Sequence, residues 1–142
     1  MKFHGYIAFV FVILLAGCAQ APPTPTPKTP EQKVSVELGK ALFNDPKLGT
    51  TGGTCNSCHP DGGTIGGKVM GMPIPDLHGS AETFPKFKEW AGKEVTLAEM
   101  NNFCIVQVLK GQPLDTESVE MKSLEAYIGS LKGAAKAAPG YG

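Results

Sequence analysis

Apolar residues recur at helical spacing in three stretches of this chain. Val34, Leu38, Ala41 and Leu42 have Lys and Glu between them, which predicts a helix that Asp45-Pro46 ends. Thr96, with Glu99 three residues on, has the form of a capping box. It opens the run LAEMNNFCIVQVLKG, expected to stop near Gly111 as a C′ glycine. Val119, Leu124, Ile128 and Leu131, with Tyr127, form a face of a last helix over residues 117–132. A shorter helix is expected from Phe84 or Pro85 to about Trp90. Residues 60–75 (PDGGTIGGKVMGMPIP) read as an irregular loop, and no stretch reads as a strand. The expected fold is therefore all-α and loop-rich, with three to five helices.

The N-terminal part has a different pattern. Lys2 precedes an apolar run from Tyr6 to Leu15, followed by Leu15-Ala16-Gly17-Cys18. The run is short for the ~20 apolar residues a membrane span needs. The segment looks like a bacterial lipobox, so residues 1–17 are expected to be a lipoprotein signal peptide and Cys18 the lipidated residue. Ala19, not Asp, follows; by resemblance to Gram-negative lipoproteins this favours outer-membrane sorting. Residues 19–33 (AQAPPTPTPKTPEQK) exclude helix and sheet by their proline spacing. With Cys18 they form an expected tether over 18–33, extended at ~3 Å per residue and reaching roughly 40 Å from a membrane. The expected domain covers 34–132, and 133–142 (GAAKAAPGYG) read as a flexible tail.

Composition narrows the function classes. The chain has 142 residues, room for one small domain after its leader. Its 13 basic and 13 acidic residues balance, which excludes the basic stripe of a nucleic-acid binder. Every basic residue is lysine, so the chain lacks the usual bidentate clamp for oxyanions. Gly (18) and Pro (12) are abundant, as in a small domain whose centre is filled by a cofactor.

The chemistry lies in Cys55-Asn56-Ser57-Cys58-His59. The spacing C-x-x-C-H is the attachment signature of a c-type haem, with Cys55 and Cys58 as thioether sites and His59 as the proximal iron ligand. A structural zinc would need a second ligand pair at similar spacing, and none occurs. A redox dithiol would need βαβ patterning, which is also missing. The expected cofactor is one covalent haem c.

With C-x-x-C-H between two helices, the layout resembles class I cytochromes c. In these an N-terminal helix carries G-x-x-L/F-F and crosses a C-terminal helix carrying an aromatic. Gly39, Leu42 and Phe43 match the first pattern, Tyr127 and Leu131 the second. Thr96-Leu97, Asn102, Cys104, Gly111, Pro113-Leu114, Glu120-Met121 and Ala126-Tyr127-Ile128 resemble the haem domains of thiosulfate dehydrogenase and Sox-type cytochromes. That resemblance implies Cys104 as the distal haem ligand. The family's arginine four residues before this cysteine is Met100 here, and its Arg-Ser pair after it is Gln107-Val108. Those groups hold an anionic sulfur substrate in the family, so the substrate-binding charge looks lost.

For the distal ligand, Met100 is the alternative one helical turn before Cys104; Met70, Met72, Met121 and His78 are the remaining candidates. The expected function is a membrane-tethered electron carrier outside the cytoplasm, on the periplasmic side or cell surface, docking with redox proteins. Lys86, Lys88 and Lys93 offer themselves for steering acidic partners, although a solvated face explains them as well. The alternatives are a sulfur-anion oxidoreductase and an accessory haem subunit of a cytochrome or sulfur-oxidation complex.

Overall fold

A computed structural model describes residues 32–134. The expected signal peptide, the lipidated Cys18, nearly all of the tether and most of the tail lie outside the described residues.

The first helix, α1 (Val36–Phe43), starts where the Ser35 hydroxyl accepts from the Leu38 N–H, and ends at Asn44, just before Asp45-Pro46. The last, α5 (Val119–Ser130), is capped in the same way by Ser118 through the Met121 N–H. These two helices cross at Gly39. A Cβ built there would run into the Ser123 carbonyl oxygen and the Tyr127 Cβ, so only glycine permits this approach. Buried Ser123 also accepts from the Ser35 N–H at 3.2 Å, tying the start of α1 to α5. Phe43 and Tyr127 meet beside the crossing with ring centroids 5.2 Å apart, and Leu124 completes the buried cluster.

Between these helices lie α2 (Cys55–Cys58), the single turn α3 (Pro60–Gly63) and α4 (Leu97–Phe103). The capping box of Thr96 and Glu99 forms as expected. Among the described residues no helix is long and apolar enough to cross a membrane.

The all-α expectation is wrong. Two antiparallel hairpins are present: β1 (Gly67–Val69) with β2 (Met72–Ile74), and β3 (Lys86–Lys88) with β4 (Lys93–Val95). The first falls in the stretch read as irregular loop; of the second, β3 falls in the stretch read as a helix ending near Trp90, and β4 lies just beyond it. Three-residue strands are too short for alternation to show in a sequence. The Met70-Gly71 turn has positive φ at both residues (50° and 82°), as a type I′ hairpin loop requires. Methionine gives no turn signal at that position, so the hairpin was hidden.

The C-terminal part of the 96–111 helix also differs from expectation. After Phe103 the chain widens into a π turn over Cys104–Val108, in which the Leu109 N–H reaches the Cys104 carbonyl at 3.0 Å. Lys110, not Gly111, takes the left-handed conformation (φ 59°). Gly111 serves a close approach instead: a Cβ there would strike the Leu48 carbonyl.

Candidate functional site

The sequence Thr54-Cys55-Asn56-Ser57-Cys58-His59 makes its own short helix. Thr54 accepts from the Ser57 N–H at 3.2 Å, and Ser57 returns the bond to the Thr54 N–H at 3.0 Å. One of the two variable positions of C-x-x-C-H is thus spent on capping. The other, Asn56, accepts from the Gly62 N–H at 2.7 Å and folds the chain back after His59. Asp61 and Gly62 take positive φ there (52° and 66°). β1 closes down on the helix at Gly67, where a Cβ would meet the Cys58 carbonyl.

Cys55, Cys58 and His59 line a cavity of about 270 Å³. A single water occupies about 30 Å³ of liquid, so this is a ligand-sized space and not a packing defect. Phe43, Ile105, Leu109 and Leu124 give it apolar walls. Met100 and Cys104 line it too, from α4 and the π turn. Residues 45 positions apart in the chain (104 − 59) therefore share one chamber. The π turn adds one residue per turn beside Cys104, a distortion that recurs at functional sites. Asn102 fixes this segment, since its amide bonds both the N–H and the C=O of Leu114 at 2.8 Å.

The electrostatics follow from burial. Desolvation pushes the Cys55 thiol up to about 12, with the Cys104 and Cys58 sulfurs adding to the rise against an opposing backbone hydrogen bond. Desolvation pushes Cys104 up to about 11, aided by Cys58 and opposed by the Lys88 ammonium. His59 is held below its ordinary range, chiefly by burial. The Pro75 backbone pulls the other way, while the buried Nδ1 makes no complete hydrogen bond. A ring kept neutral is the form that binds a metal.

The other candidates lie elsewhere. Met121 is fully buried, with its sulfur 3.7 Å from the Asn101 amide, and does not line the cavity. Met70 and Met72 are 83% and 62% exposed on the first hairpin. His78 is outside the cavity lining, its Nδ1 3.2 Å from the carboxylate of buried Asp76.

Residues 38–135 match the family described as SoxA/TsdA, cytochrome c domain. The chain belongs to this family. Among solved structures it is similar in fold to the as-isolated form of thiosulfate dehydrogenase (TsdBA) from Marichromatium purpuratum. The TM-score is 0.54, at 23% identity over 88% of this chain. The chain spans 29% of the length of that protein. A sequence comparison with curated proteins finds no match.

A SoxA/TsdA-type cytochrome domain implies covalently bound haem c and a role in electron transfer. The residues fit that group. Two cysteines one helical turn apart, a half-buried imidazole whose buried Nδ1 makes no complete hydrogen bond, and a large apolar chamber occur together. A thioether carries no charge, so burial that penalises a thiolate does not oppose it. Among the described residues no three His, Cys, Asp or Glu side chains converge as an ion site.

Sequence reasoning missed two contributors to this site, the π turn and the Pro75 backbone, and neither carries a signal in the sequence. Lys86 and Lys88 were read as a surface for steering acidic partners, and the structure places them in the cavity lining.

Proposed function

We propose that this protein is a monohaem c-type cytochrome that carries electrons outside the cytoplasm. The reading rests on one observation: Cys55, Cys58 and His59 line the same apolar cavity as Cys104 and Met100. Cys55 and Cys58 would hold haem through thioethers and His59 would be the proximal ligand. Cys104 would be the distal ligand, with Met100 as the alternative. Haem, when bound, supplies a one-electron iron couple. The chain's own part is to orient it and to exclude water with Phe43, Ile105, Leu109 and Leu124. A Cys104 thiolate on the iron would donate charge and lower the potential, whereas methionine would raise it. In the same proposal, lipid on Cys18 and the 18–33 tether keep the domain on the periplasmic side of a membrane, with the outer membrane favoured. Redox proteins dock there through a brief, small interface.

The test is a pyridine haemochrome assay, followed by absorption and EPR spectra of wild type, Cys104→Ala and Met100→Ala. Loss of the low-spin signal in Cys104→Ala alone supports the assignment. An unchanged Cys104→Ala spectrum removes it. A second reading, oxidation of a sulfur anion or service as an accessory haem subunit for such an enzyme, draws on Cys104 lining the chamber. Thiosulfate-dependent haem reduction at a catalytic rate would put it first.

A further inference from the structure

We propose that Lys86 and Lys88 form an anion site at the cavity, taking a carboxylate or a small oxyanion between their ammonium groups. The inference rests on the haem reading above. Its basis is the register of the second hairpin, which pairs Lys86 with Val95, Phe87 with Glu94 and Lys88 with Lys93. Side chains alternate along a strand, so Lys86, which is exposed, and Lys88, which is half-buried, share the face of buried Val95, while Phe87 stands exposed on the other face. Both lysines line the cavity, as do the hydroxyl residues Ser80 and Thr83.

The charges around them are unbalanced. Lys88 stands directly across from Lys93, and like charges in that position repel. Lys93 is neutralised by Glu99 at 2.6 Å. Among the described residues neither Lys86 nor Lys88 has an ion-pair partner. The carboxylate that lines the cavity, Asp76, is 3.2 Å from His78. Two lysines two residues apart thus line an apolar chamber with no carboxylate in ion-pair contact with either; the Lys88 ammonium lies 5.8 Å from the Phe84 ring centroid, and its charge is felt at Cys104. In a chain without arginine, the counter-charge for any anion at this chamber has to come from such lysines. Lysine binds anions as a point charge and accepts varied geometry.

The anion has two sources with the same chemistry: the propionate carboxylates of bound haem, or a free oxyanion. Haem-loaded wild type is compared with Lys86→Gln/Lys88→Gln and with Lys86→Arg/Lys88→Arg. Redox-difference infrared spectra with ¹³C-labelled propionates read the first source. Titration of the midpoint potential with sulfate at constant ionic strength reads the second. A propionate band that shifts in the Gln variant and returns in the Arg variant identifies haem as the source. A saturable sulfate effect in wild type, weakened roughly ten-fold or more in the Gln variant, identifies a free oxyanion. Propionate bands and sulfate response unchanged in the Gln variant overturn the site and leave the haem reading intact. Wild type that incorporates no haem overturns the haem reading, and this inference with it.

Discussion

The phenol of Tyr127 donates a 2.8 Å hydrogen bond to the backbone carbonyl of Gly62. This bond ties the middle of α5 to the turn that follows His59. Its acceptor residue is itself held by Asn56, inside C-x-x-C-H. The helix crossing and the C-x-x-C-H motif are therefore one mechanical unit.

Tyr127→Phe removes that donor and leaves the Gly62 carbonyl short of a partner. The expected loss is about 1 kcal/mol, read as a lower denaturant midpoint at unchanged m-value. Burial raises the Tyr127 hydroxyl above its ordinary 10.0, with the Asp61 charge adding to the rise. The folded state thus holds this proton more tightly than the unfolded chain does. The contribution is complete below about pH 10 and is lost as pH rises through the folded value. Between pH 9 and 12 the wild type should lose stability more steeply than Tyr127→Phe; parallel curves would refute the linkage.

Gly39→Ala places a methyl group against the Ser123 carbonyl. Overpacking of this kind costs about 1–3 kcal/mol, so thermal melts should show a clear drop. Gly129→Ala is the control within α5. Its Cβ would lie 3.8 Å from the Ala81 Cβ, an ordinary contact. Removing glycine from a helix interior should then stabilise by about 0.5–1 kcal/mol. Equal effects at the two positions would contradict the crossing.

Thr54→Ala breaks the capping box in front of Cys55. A lost N-cap costs about 1 kcal/mol. The predicted result is a lower melting temperature with the haem absorption spectrum unchanged, since Thr54 acts on the helix and not on the iron.

Trp90 stacks on Phe103 with ring centroids 4.4 Å apart, pinning the second hairpin to the helix that leads into Cys104. A double-mutant cycle with Trp90→Ala and Phe103→Ala should return a coupling of about 0.5–1.5 kcal/mol. A coupling near zero would mean that the hairpin is held by other contacts.

Several features were legible before any coordinates. Thr96 and Glu99 announce a cap, and Asp45-Pro46 announces a stop, because both act through the backbone of their own few residues. Gly39 with Tyr127 marked the crossing, because only a residue without Cβ admits such an approach. The hairpins escaped notice. Their strands are three residues long, and their pairing energy comes from partners across the turn and from packing on the rest of the domain.

By itself the sequence determined the C-x-x-C-H motif, the two crossing helices and the family pattern around Cys104. Each is written in short-range spacing or in residue types that few environments tolerate. Tertiary structure alone decided what shares the chamber with that motif. It brought Met100 and Cys104 to the cavity of His59, kept Met121 in the core, and left Met70 and Met72 on the surface. It also turned Lys86 and Lys88 toward the chamber that had seemed stripped of charge. The reason is physical. A side chain's direction depends on strand register and on the π turn, and both are set by packing between segments far apart in the chain.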